Sequence, residues 1–68
     1  MKQLTDDSPM PIGKKFFGTS MIEVPAWHLN WWWVEKGLKN KIKSNQVADY
    51  IGRNLNGLKA ENPNMIWD

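Results

Sequence analysis

The residue types that could do chemistry in this chain are one histidine, a few carboxylates and two lysines that follow a glycine. His28 is the single histidine, and a general base or a metal ligand needs partner groups that its flanking sequence does not provide. Asp6 and Asp7 are adjacent and could bind a divalent cation, but we expect solubilising charges in this polar segment. No nucleophile, base and orienting group can be assembled. We therefore predict a protein that is not an enzyme and that uses neither a cofactor nor a metal.

Gly13 and Lys14 look like the end of a phosphate-binding loop, but their neighbours exclude that motif. A P-loop has a glycine five residues before its Gly-Lys pair and a serine or threonine directly after the lysine. Ser8 and Lys15 occupy those two positions here. Two interpretations stay open, because Lys14 and Lys15 could hold a nucleic-acid phosphate as point charges or could be solvated lysines at a turn.

Tryptophan is the residue type that points most directly to binding. Three of the five tryptophans are consecutive, at positions 31–33. Successive side chains on a helix point about 100° apart, so one face cannot bury all three indoles. An indole left at the surface is often used on a partner, and we expect Trp32, beside His28 on the more polar side, to be that indole. The predicted core face comprises Ala26, Trp27, Leu29, Trp31, Trp33 and Val34.

A basic segment follows the tryptophans. Four lysines and no acid lie within eight residues, at Lys36, Lys39, Lys41 and Lys43. The formal net charge of the chain is only +2, which does not by itself predict nucleic-acid binding. The segment can attract a phosphate or an acidic protein, or it can be a solvated loop. These lysines, with Trp32 and His28, form the predicted partner-binding site.

The N-terminal part that must position these residues is predicted to be extended. We expect residues 1–9 to form a flexible polar arm. Residues 10–24 contain two apolar patches separated by Gly13 and Gly18, which favours either a short hairpin or a strand followed by a loop. Gly18 is at a turn position where a positive φ is expected.

Two helices are predicted after this segment. Pro25 is a helix-start signal and Gly37 a helix-end signal, so the first helix should run from about Pro25 to Lys36. Ser44 or Asn45 is the expected N-cap of the second helix. Its apolar residues repeat at helical spacing at Val47, Ile51, Leu55 and Leu58.

These elements predict a small α+β domain of ββαα order, with a two- or three-stranded sheet against two helices. A mostly helical fold with a glycine-rich N-terminal loop is the alternative. The predicted domain covers residues 10–61, and residues 62–68 form a C-terminal tail. The chain has 68 residues and no cysteine, which fits one small domain in a reducing cytoplasm, and no apolar run is long enough to span a membrane.

Two sets of spaced residues lie between Asp6 and Glu61. The first set is Met10, Pro11, Gly13, Lys14, Gly18, Val24, Pro25, Leu29 and Trp31. The second is Asp49, Tyr50, Ile51, Asn54, Leu55, Leu58, Lys59 and Glu61. Together they resemble the small bacterial and phage domain family named for a quorum-sensing-regulated virulence factor, formerly a domain of unknown function. The chain departs from the family pattern at Ile12, where an aromatic is usual, and at His28, where tyrosine is usual.

The resemblance implies a phage-related protein that works near nucleic acid, because similar Gly-Lys domains are found attached to exonuclease-like domains. Our first hypothesis is a non-enzymatic accessory protein in the host cytoplasm that binds and modulates a host or replication protein through the tryptophan helix and the basic loop. The alternative is a nucleic-acid-binding protein of modest affinity, with lysines on phosphates and an exposed tryptophan stacked on a base. The oligomeric state is left open.

Overall fold

The computed structural model describes residues 2–67, and within that range the regular structure is helical. Helix α1 spans Ala26–Val34, α2 spans Gln46–Arg53 and α3 spans Leu55–Glu61. Two single 3-10 turns, Met21–Glu23 and Leu38–Asn40, precede α1 and α2 respectively. None of these helices is long and apolar enough to cross a membrane.

The predicted α+β fold is wrong, because no strand forms between residues 2 and 67. The segment expected to be a hairpin makes one isolated antiparallel bridge, between Pro9 and Ser20. The Met10 N–H donates to the Thr19 carbonyl at 2.8 Å, and the chain between them is an irregular loop. Gly18 has the predicted positive φ, at +84°, but the loop leaves too few paired backbone groups for a ladder. The alternative of a mostly helical fold with a glycine-rich loop fits the structure.

Helix α1 begins after Pro25, as the start signal predicts. The Pro25 carbonyl accepts hydrogen bonds from the N–H groups of His28 and Leu29, at 3.0 and 3.2 Å. The helix ends at Val34, two residues before the predicted Lys36. Gly37 then adopts a left-handed conformation with φ of +72°, which redirects the chain into the second 3-10 turn.

Helix α2 is capped by Asn45, whose side-chain oxygen accepts from the N–H groups of Val47 and Ala48. This arrangement satisfies two donors that the helix itself leaves unpaired. The helix is interrupted at Asn54, whose side-chain amide donates to the Tyr50 carbonyl at 2.8 Å. The predicted second helix is therefore divided, and its later part is α3.

The core lies where α1, α2 and both ends of the chain meet. Its buried apolar residues are Leu4, Met10, Met21, Val24, Leu29, Trp33, Leu38, Val47, Ala48, Tyr50, Ile51 and Trp67. Leu4 belongs to the segment predicted to be a flexible arm, yet its side chain is buried and its carbonyl accepts from the Arg53 guanidinium at 2.6 Å. At the other end, the Trp33 indole N–H donates to the Trp67 carbonyl. Leu4 is thus bound to α2, and Trp67 is bound to α1.

Candidate aromatic binding surface

An aromatic cluster forms where the glycine-rich loop meets α1. We call it the aromatic surface; it consists of Phe16, Trp27, His28, Trp31 and Trp32, with Lys15 and Lys36 against it. Phe16 comes from the glycine-rich loop and meets Trp27 and His28 edge-on, with ring centroids 5.7 and 4.7 Å apart. The loop and the helix therefore build this surface together.

The exposed indoles of this surface are Trp27 and Trp31. Trp27 is 50% exposed and Trp31 is 39% exposed, although both were predicted to be core residues. They lie four residues apart, one helical turn, and so share a side of α1. The core side of the helix is instead formed by His28, Leu29 and Trp33.

The prediction that Trp32 is the least buried indole is wrong. Trp32 is half-buried and packs against the core. Its indole N–H donates to Nε2 of His28 at 3.1 Å, and its ring lies against the backbone of Gly13. Gly13 has a positive φ of +81°, and a Cβ built there would lie 3.1 Å from the Trp32 ring. The absent side chain at position 13 is what allows the loop to cover Trp32.

His28 is buried in the centre of the cluster rather than exposed on a polar side. Burial, and then the charge of Lys15, lower its pKa below the usual 6.5. The ring is therefore neutral at pH 7, and because Nε2 accepts from Trp32, Nδ1 carries the proton. Its described contacts are aromatic, so the geometry gives it a packing role and shows no group that it could serve as a base.

Two lysines lie over the exposed indoles. The Lys15 ammonium is 5.1 Å from the Trp27 ring centre, and the Lys36 ammonium is 5.0 Å from that of Trp31. Both distances are within the range of cation–π attraction. Each exposed indole thus has its own cation, one from the loop before α1 and one from the segment after it.

The remaining predicted site lysines have no described contact with the rings of this surface. Lys14, Lys39, Lys41 and Lys43 are all exposed. Within residues 2–67, the cations placed over aromatic rings are Lys15, Lys36 and Arg53. The structure therefore brings His28, Trp32, Lys15 and Lys36 together, and shows no ring contact for the other four lysines.

Asp6, considered above as a cation ligand, has a different partner. The Tyr50 hydroxyl donates to its carboxylate at 2.8 Å. Burial, this hydrogen bond and the Asp6 charge raise the pKa of Tyr50 to about 12. Among residues 2–67, no three histidine or carboxylate side chains come close enough to hold a metal ion.

Sequence reasoning missed Phe16, Trp27 and Trp31 as surface residues. The available signal was the spacing of Trp27 and Trp31, which places the two indoles on one side of a helix. Their neighbour Phe16 arrives from the loop, and no local pattern predicts that contact.

Comparison of the chain with protein-family models, with curated proteins and with solved structures gave no match. The family resemblance given above therefore depends on the spaced motifs alone.

Proposed function

We propose that this chain is a non-enzymatic accessory protein that binds another protein through its aromatic surface. The observation that carries the proposal is the pair of exposed indoles, Trp27 and Trp31, one helical turn apart with a lysine over each. Tryptophan is enriched among the few interface residues that supply most of the binding free energy. Exposed indoles rimmed by cations suit a partner surface that has an apolar centre and carboxylates around it.

A protein partner is favoured over a nucleic acid by where the cations lie. A base-stacking site needs free ring faces with several lysines alongside to contact the phosphates. Here Trp31 already stacks on the His28 ring, with centroids 5.9 Å apart and planes inclined by 19°. Lys39, Lys41 and Lys43 make no described contact with a ring. Nucleic-acid binding is the second candidate, supported by the exposed lysines of the loop and of the segment after α1.

The setting that we propose comes from the family resemblance. A phage-related protein of this kind would act in the cytoplasm of its bacterial host, on a host or replication protein. The matching motifs support this setting. The aromatic surface supports only the proposal that another protein is bound through Trp27 and Trp31.

The test is affinity capture from a bacterial lysate with three immobilised proteins. They are the unchanged chain, the double variant Trp27→Ala with Trp31→Ala, and the control Ile66→Ala. Ile66 is a fitting control because its side chain is 75% exposed and lies outside the aromatic surface. We expect one protein to be retained by the unchanged chain and by the control, and lost by the double variant.

A parallel fluorescence titration with short single-stranded DNA, duplex DNA and RNA separates the two candidates. Saturable quenching that weakens as salt rises would favour the nucleic-acid function, since phosphate contacts are salt-dependent. A protein retained equally by all three immobilised chains would contradict binding through Trp27 and Trp31.

A further inference from the structure

A groove of about 390 Å³ is lined by none of the residues of the aromatic surface. It opens between the first 3-10 turn, the start of α1 and helix α3. Its apolar walls include Val24, Ala26, Leu29 and Leu58. Ile22, at its edge, is 63% exposed. The groove thus offers an apolar floor that no segment within residues 2–67 covers.

The charged residues that line this groove are both acidic, Glu23 and Glu61. Both are exposed, and no ion pair is described for either of them. The chain as a whole carries a formal charge of +2, so the groove is locally opposite in sign to the molecule. A fitting occupant has an apolar anchor with a cation beside it.

The glycine-rich loop of this same chain has those features. Phe17 is 66% exposed, although phenylalanine is usually buried, and Lys14 is exposed three residues before it. Gly13 and Gly18, both at positive φ, bound this short loop. Phe17 does not line the groove of its own chain. The Phe17 side chain is therefore available to the groove of another copy.

We propose that the groove binds the loop of residues 14–17 of a second copy of this chain, with Phe17 on the apolar floor and Lys14 facing Glu61 and Glu23. The two features flank the first turn of α1, since Phe16 of the loop contacts Trp27 while Pro25 and Ala26 line the groove. A two-fold axis beside this turn lets each loop enter the other copy's groove. The result is a closed dimer with two equivalent contacts, and it does not depend on the function proposed for the aromatic surface.

The test is sedimentation equilibrium of the full chain from about 10 μM to about 1 mM. This range covers the dissociation constants expected of a weak dimer. We expect the mass to rise from monomer to dimer. Phe17→Ser should raise the dimer dissociation constant at least about tenfold, because it removes the anchor. Ile66→Ser, which removes a similarly exposed apolar side chain elsewhere, should leave the dissociation constant unchanged.

Charge reversal gives a second and independent measurement. Glu61→Lys and Lys14→Glu should each weaken the dimer, and the two substitutions combined should restore it, because the opposite charges then face each other again. Circular dichroism of each variant confirms that it is folded. A chain that stays monomeric at 1 mM overturns the proposal. A dimer whose dissociation constant is unchanged by Phe17→Ser also overturns it. A dimer that is not restored by combining the two charge reversals does the same.

Discussion

Helices α1 and α2 use their apolar residues in different ways. In α2, Val47, Ala48 and Ile51 lie on one side and are completely buried. In α1, Leu29 and Trp33 are buried, but the indoles of Trp27 and Trp31 are exposed to solvent. The core is therefore filled without these two indoles. Helix α2 is therefore a structural helix, whereas α1 also carries apolar surface that is available to a partner.

The largest effect is expected from truncating the buried face of α2. Ile51→Ala removes a completely buried side chain and leaves a cavity, so the free energy of unfolding should fall by about 2–5 kcal/mol. For a domain of this size that loss is a large part of the total stability. Urea denaturation measures it, and a loss below about 1 kcal/mol would show that the core does not depend on this face.

A smaller loss is expected where the loop covers α1. Gly13→Ala places a side chain at positive φ and 3.1 Å from the Trp32 ring, so it should destabilise the fold by roughly 1–2 kcal/mol. Gly57→Ala is the matched control, because this helical glycine has open space around it and alanine favours helix. Thermal denaturation should show opposite shifts for the two variants. Equal shifts would contradict the packing of the loop on Trp32.

The next largest loss of stability is expected from removing the N-cap of α2. Asn45→Ala removes the oxygen that accepts from the N–H groups of Val47 and Ala48, at a cost of about 1 kcal/mol. Asn56→Ala is the control, since Asn56 is exposed within α3 and has no described hydrogen bond. Urea denaturation of the two variants compares them. Similar stability of both would mean that the cap contributes little.

The buried histidine of α1 should make stability depend on pH. The folded chain holds the pKa of His28 below 6.5, the ordinary value, so the unfolded chain binds the proton more readily. The neutral imidazole therefore contributes fully to the free energy of unfolding above pH 6.5, and this contribution is lost as the pH falls through the lowered pKa. The urea midpoint should therefore decrease as the pH is lowered from about 7.5 to about 5. Most carboxylates titrate below this range. His28→Gln should flatten this dependence, and an unchanged slope would contradict the buried, neutral imidazole.

Sequence reasoning succeeded for local structure and failed for contacts between distant segments. The cap at Asn45, one of the two predicted candidates, follows from the ability of its side chain to accept from the first N–H groups of a helix. The start of α1 after Pro25 and the positive φ of Gly18 follow from the backbone preferences of proline and glycine. Which side chains of α1 are buried does not follow from such local preferences, because it depends on where the loop of residues 10–20 lies. That loop covers Trp32 and His28, and it leaves Trp27 and Trp31 exposed.

The predicted hairpin failed for a related reason. Two apolar patches separated by glycines are compatible both with a hairpin and with a loop, and tertiary packing decides between them. Met10 and Met21 are each buried in the core, so the segment is held by these side chains instead of by a strand ladder. No periodicity in the sequence distinguishes the two outcomes.

Stability and binding measured on one variant, Trp27→Ala with Trp31→Ala, show whether α1 exposes its indoles for a partner. Both indoles are partly exposed, so the free energy of unfolding should fall by about 1 kcal/mol or less for each, well below the loss from Ile51→Ala. The protein captured by the unchanged chain should no longer be retained. A loss of stability as large as that of Ile51→Ala, with the captured protein still retained, would contradict the claim that α1 exposes these indoles for a partner.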